Sequence, residues 1–170
     1  MSKINRFSFL MLLLAATAYG AAAQASTTAT ATATILTAIS ITKIADMSFG
    51  NISVLASSGG TVILTPAGSR STTGGVSLPA TTGTVTAASF TVNGEGSYTY
   101  SITLPSTSHS IASGENSMTV TAFTSTPSGT GTLTAGSQTL TVGATLNVAA
   151  AQPNGTYLSA AGFNVTVNYN

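Results

Sequence analysis

Apolar residues recur at nearly every second position from Ser26 to Ile41, where Ala29, Ala31, Ala33, Ile35, Ile39 and Ile41 are set among threonine and serine. A period of two is that of a β-strand with one apolar and one polar face. The same period returns downstream. Val62 and Leu64 alternate within Thr61–Thr65, and Ala88, Phe90 and Val92 alternate with Ser89 and Thr91. Tyr98, Tyr100, Ile102 and Leu104 share a face against Thr99, Ser101 and Thr103, and Pro105 ends that run. Asn93-Gly94-Glu95-Gly96 sits between the last two runs and predicts a hairpin. In Ser117–Thr124, Met118, Val120 and Ala122 fall on one face and Phe123 on the other. Leu133, then Leu140 and Val142, then Leu146 and Val148 predict three short strands separated by Gly136 and Gly143. A final strand over Gly162–Asn170 places Phe163, Val165, Val167 and Tyr169 on one face. No long segment has helical spacing, and turn signals recur at Ser58-Gly59-Gly60, Pro66, Ser113-Gly114 and Pro127-Ser128-Gly129. The expected fold is all-β, an antiparallel β-sandwich.

The first residues follow a different pattern. Lys3 and Arg6 precede the apolar run Phe7–Ala16, and small residues follow at Ala21, Ala22, Ala23 and Ala25. This is the layout of a cleavable signal peptide over residues 1–25, with cleavage after Ala23 or Ala25. Its unbroken apolar run of about ten residues is well short of the roughly 20 that span a bilayer. No later segment is a transmembrane candidate, so none is expected after signal cleavage. The chain is therefore expected to be exported, through the periplasm to the cell surface or beyond. Residues 26–35 form an N-terminal extension, and residues 36–170 form one sandwich domain.

Removing the signal changes the charge. Lys43 and Arg70 then stand against Asp46, Glu95 and Glu115, leaving one net negative charge where the whole chain has +1. So few cations cannot neutralise a phosphate backbone, which argues against nucleic acid as a partner. The chain has no cysteine. Neither a disulfide nor a thiolate metal site is available, and burial and sheet hydrogen bonds must hold the fold.

Candidate chemistry is sparse. His109 is the one histidine, in a polar stretch after Pro105, where an exposed loop residue is expected. A Ser-His-Asp triad with Asp46 has no framing motif. Glu95 and Glu115 each sit in a glycine-containing turn and read as solvated carboxylates. Gly94-x-Gly96 lacks the strand-to-helix context of a phosphate loop. Tyr98 and Tyr100 belong to an apolar face and are expected in the core, which leaves Tyr157 as the freer surface aromatic. No catalytic, cofactor-binding or metal site is expected, and no enzymatic activity.

An exported protein that begins with an unpaired, half-apolar strand has a use for it in completing a neighbour's sheet. The C-terminal run Asn154-Gly155-Thr156-Tyr157 and Phe163-Asn164-Val165-Thr166-Val167-Asn168-Tyr169-Asn170 resembles the ending of spore-coat-protein-U-like subunits of archaic chaperone-usher pili. A longer resemblance is to the exported bacterial family called domain of unknown function 4402. It runs through Ile41-Thr42-Lys43, Ser48-Phe49-Gly50, Gly60-Thr61-Val62, Pro66-x-Gly68-x-Arg70, Phe90-x-Val92-x-Gly94, Ile102-Thr103-Leu104-Pro105 and Val142-Gly143-Ala144-Thr145-Leu146 to the terminal strand. The pilin resemblance implies an incomplete immunoglobulin-like sandwich whose missing strand is lent by a periplasmic chaperone and then supplied by another subunit. By that resemblance Ala29, Ala31, Ala33 and Ile35 would be the donor face. Phe163, Val165, Val167 and Tyr169 would line the acceptor or the strand a chaperone grips. The expected function is a structural or adhesive subunit of a bacterial surface fibre. Its expected partners are copies of itself or related subunits, with a periplasmic chaperone and an outer-membrane usher in assembly. The alternative is a self-contained secreted or surface-associated module that binds glycans.

Overall fold

The computed structural model describes residues 23–170. The basic and apolar part of the expected signal peptide lies outside the described residues. The chain divides into two units, one ending at Ile35 and one spanning Leu36–Asn170. In the first unit the described residues are exposed and belong to no strand or helix.

The second unit is built of strands with no helix. In chain order they are β1 (Ser40–Ala45), β2 (Ser48–Phe49), β3 (Ser53–Val54), β4 (Gly60–Leu64), β5 (Arg70–Gly74), β6 (Val76–Ser77) and β7 (Val85–Thr86). They continue as β8 (Ala88–Asn93), β9 (Thr99–Thr103), β10 (His109–Ser113), β11 (Asn116–Thr126), β12 (Thr130–Thr132), β13 (Ser137–Val148) and β14 (Thr166–Tyr169). The large sheet runs β1-β8-β13-β11-β10, with β4 and β5 added alongside β13. Opposite β8 and β13 lies the three-stranded sheet β12-β9-β14, and the pairs β2-β7 and β3-β6 stand apart. Every pairing is antiparallel. The chain is an all-β antiparallel sandwich.

Strand β13 organises the packing because one of its edges serves two partners. Residues Ser137–Val142 pair with β8, and Ala144–Val148 pair with β4. Its inward residues accordingly enter two cores. Leu140 and Val142 join Ala88, Val92, Tyr100, Leu133 and Val167 between the large and three-stranded sheets. Ala144, Leu146 and Val148 join Phe49, Val62, Leu64, Val76 and Val120. The outward positions of β13 are Ser137, Thr139, Thr141, Gly143, Thr145 and Asn147, which keeps that face polar without charge.

Several local expectations are corrected. Ala88–Asn93 and Thr99–Thr103 do not form a hairpin: β8 pairs with β1 and β13, whereas β9 pairs with β12 and β14. The intervening residues cross between sheets, with Gly94 N–H donating to Gly136 O at 2.9 Å and Ser97 N–H to Leu133 O at 2.7 Å. Leu140 to Val148 is one continuous strand passing through Gly143, and Leu133 lies beyond the end of β12. In β11 a bulge between Thr121 and Thr124 resets the alternation. Ala122, at φ +49°, is exposed, while Phe123 turns inward and packs on both cores. Tyr98 is half-exposed at the rim, and only Tyr100 is fully buried. The first strand starts at Ser40, and the last covers Thr166–Tyr169. Gly162 to Val165 lies outside it, although Phe163 and Val165 still pack on the core.

Two separated motifs of the sequence meet at Arg70. Its guanidinium donates to the carbonyls of Phe49 and, at 3.0 Å, of Asn51. Gly50 between them is at φ +67°, a conformation that glycine adopts without a Cβ penalty. Removing the cation leaves the part-buried Phe49 carbonyl short of a donor, while the exposed Asn51 carbonyl turns to water. Arg70→Ala should therefore cost about 1.5–3 kcal/mol, read as a lower urea midpoint at unchanged slope. Arg70→Lys should recover only part of it, because both bonds come from Nη1, which stands one bond further along the side chain than a lysine ammonium reaches.

Candidate functional site at the edge of β14

A sheet edge is reactive toward another strand unless something blocks it. Four of the edges in this fold carry such a device. Strand β1 has a bulge between Lys43 and Ala45, and Lys43 pairs with Asp46 at 2.7 Å on its exposed side. At β10 a short bridge covers the edge, Ala112 N–H donating to Leu158 O at 2.8 Å and Leu158 N–H returning to Ala112 O at 2.9 Å. Arg70 opens β5, and β12 is only three residues long with Gly131 at its centre.

Strand β14 has none of these. Thr166, Val167, Asn168 and Tyr169 pair with Thr103, Ile102, Ser101 and Tyr100 on one side only. The register shows which backbone groups are left over. Asn170 N–H donates to Thr99 O at 3.3 Å, so the even-numbered residues turn their N–H and C=O toward β9. By alternation, Val167 and Tyr169 turn theirs away from it. No strand pairs with that side among the described residues. The side chains of Phe163, Val165, Val167 and Tyr169 all pack on the core between the sheets, so this face is apolar as expected.

One end of β14 is tied to the chain just before β1. The Tyr169 hydroxyl donates to Thr37 O at 2.7 Å and accepts from Glu95 N–H at 2.5 Å. A single oxygen of the Glu95 carboxylate accepts from Thr37 Oγ1 at 2.9 Å and from Thr37 N–H at 3.2 Å. The hydroxyl bond from Thr37, and then its backbone N–H, hold the Glu95 carboxyl below its ordinary pKa. A Cβ at Gly94 would run into the Tyr169 phenol, so a larger residue there would have to displace the ring. Tyr98 supports the phenol edge-on, with ring centroids 5.9 Å apart.

Before the other end of β14, Phe163 packs against Phe123 at 5.0 Å and presents an edge to His109 at 6.1 Å between centroids. A cavity of about 350 Å³ opens there, lined by Leu104, Pro105, Ser108, His109, Phe163 and Thr166. His109 is thus the first residue of β10 and half-buried, not an exposed loop residue. Its Nε2 is shielded from solvent and has no hydrogen-bond partner among the described residues.

The remaining candidates are dispersed. Asp46 pairs with Lys43, Glu115 occupies the β10–β11 turn, and Glu95 binds Thr37. Among the described residues no three His, Asp or Glu side chains come together. Tyr157 is engaged in its own loop, donating to Pro153 O at 2.7 Å and accepting from Gln152 at 2.9 Å. Ala29, Ala31, Ala33 and Ile35 are exposed and in no strand. Sequence reasoning missed the Thr37–Glu95–Tyr169 node, whose members are up to 132 positions apart. The signal available was a lone acid between two glycines in a chain with almost no charge.

Neither the curated proteins nor the solved structures contain a match to the chain. A family model does match, across residues 39–169, from just before β1 to the last residue of β14. The match takes in both sheets and all but the first residue of the node, and by it the chain belongs to the family described as Domain of unknown function (DUF4402).

Proposed function

We propose that the protein is a non-enzymatic structural or adhesive subunit of a bacterial surface fibre, exported through the periplasm and assembled by β-strand addition. The observation that carries the reading is the unblocked edge of β14, an apolar-faced strand whose outward backbone groups have no strand partner among the described residues. An added strand satisfies those groups and lays alternate side chains against the sandwich. The extension has the chemistry for this. Ala29, Ala31, Ala33 and Ile35 alternate with threonine, and the segment is exposed with no strand of its own. From Ala29 to Ile35 it is as long as the apolar run from Phe163 to Tyr169, whose last four residues form β14.

Each alanine methyl contributes only about 0.8 kcal/mol on burial, so Ile35 and the backbone ladder carry most of the docking energy. Assembly with a periplasmic chaperone and an outer-membrane usher belongs to the same reading and rests on the pilin resemblance, from which the alanine-rich donor face departs. The pilin-like, immunoglobulin-like description of the sandwich belongs to the same proposal.

The test compares the mature protein with a form lacking Ser26–Ile35, by size-exclusion with light scattering and by electron microscopy. Linear, concentration-dependent oligomers are expected from the mature form and monomers from the shortened one. If both remain equally stable monomers, strand addition through this segment is rejected and the glycan-binding module replaces it.

A further inference from the structure

We infer that the Thr37–Glu95–Tyr169 node couples the open edge of β14 to the root of the subunit's own N-terminal extension, so that accepting a strand from a second copy orders the chain at Thr37. The inference rests on the strand-addition reading and names how that site is regulated. Thr37 lies in no strand, yet its N–H, its C=O and its hydroxyl are all engaged, the first and last by Glu95 and the carbonyl by Tyr169. Tyr169 does two things at once. Its side chain holds Thr37, while its backbone is the last residue of an edge strand with one side open.

Edge-strand ends open locally at little free-energy cost. When the end of β14 lifts, the phenol leaves with it. Thr37 then loses its carbonyl donor, and Glu95 loses the oxygen that receives its own N–H. A guest strand bonded to the outward groups of Val167 and Tyr169 suppresses that opening and keeps the node closed. Linkage makes the effect reciprocal, so a closed node also favours the guest. The consequence for a fibre is directional growth. A subunit that has received a strand offers its own extension from a fixed root, whereas an unoccupied subunit offers it from a frayed one.

The experiment follows amide hydrogen exchange in the secreted protein, diluted until it is monomeric by light scattering, with and without a synthetic peptide of residues 26–36. Saturating peptide should slow exchange at Val167 and Tyr169 and also slow it at Thr37, by about five-fold or more. In Tyr169→Phe the peptide should still protect Val167 but leave Thr37 exchange fast and unchanged. Glu95→Ala provides a second route to the same uncoupling without touching β14, and circular dichroism shows that each variant is folded. Protection of Val167 in the wild type with no change at Thr37 overturns the coupling and leaves strand addition standing. A peptide that protects neither Val167 nor Tyr169 removes both.

Discussion

Gly143→Val should lower the melting temperature by about 12 °C or more, whereas Gly162→Ala should leave it unchanged. Gly143 sits at the place in β13 where the paired neighbour changes from β8 to β4. A Cβ there would collide with the Leu64 carbonyl, and would stand 2.6 Å from the Thr65 carbonyl carbon and 2.7 Å from the Pro66 nitrogen. All three are backbone atoms, so no side-chain rotation relieves the contact. The chain must separate β4 from β13 or distort β13 opposite Thr124, where β11 already resumes register after its bulge. Either response disturbs both cores, since β13 supplies residues to each. Overpacking of this kind costs about 3 kcal/mol at the upper end of its usual range. At roughly 4 °C per kcal/mol for a domain of this size, that is the stated shift. At Gly162 nothing lies within 4 Å of an added Cβ, so Gly162→Ala shows the effect of losing a glycine without a collision. A calorimetric scan in which both variants melt with the wild type would show that β13 can move away from β4 freely.

The alternation of apolar residues was enough to read the strands and their faces, because a two-residue period needs no partner to be visible. Val62 and Leu64, Ala88 and Val92, and Val167 are buried where that pattern places them. Pairing was not legible, since alternation is the same whichever strand lies alongside. Asn93 to Gly96 has the composition of a hairpin turn but spans the gap between two sheets, held by bonds to Leu133 and Gly136 from much later in the chain. Gly143 looks like a break because glycine weakens strands. Here it marks a close backbone approach that only the folded packing reveals. The bulge at Ala122 and Phe123 could not be found either, because inserting one residue leaves the composition of a strand unaltered. The apolar face shared by Phe163, Val165, Val167 and Tyr169 was legible from its alternation. Thr37 was not, being a polar residue whose only distinction is what it touches, and Glu95 stood out only as a lone acid between two glycines.

Tyr100 provides the second large effect and separates burial from hydrogen bonding. It is fully buried, and its hydroxyl donates to Gln138 Oε1 at 2.8 Å. That same oxygen accepts from Thr132 N–H at 2.9 Å, which ties β9, β12 and β13 together. Tyr100→Ala should cost about 3–5 kcal/mol, most of it the cavity left between the sheets. Tyr100→Phe keeps the ring and leaves Gln138 one partner, and should cost about 1 kcal/mol. The two variants also differ in their response to alkali. Burial raises the phenol above its ordinary pKa of 10.0, so the folded state holds this proton more tightly than the unfolded state. The stabilisation is complete below pH 10 and is lost as the pH rises through the folded value. The stability gap between wild type and Tyr100→Phe should therefore stay constant up to about pH 9 and narrow above 10, since there the unfolded wild type gains by losing a proton that the folded state retains, and Tyr100→Phe has no such proton to lose. Denaturant midpoints across that range measure it directly. A gap that does not change with pH would mean that the phenol ionises as easily in the core as in the unfolded chain, and that the sandwich opens around Tyr100 at little cost.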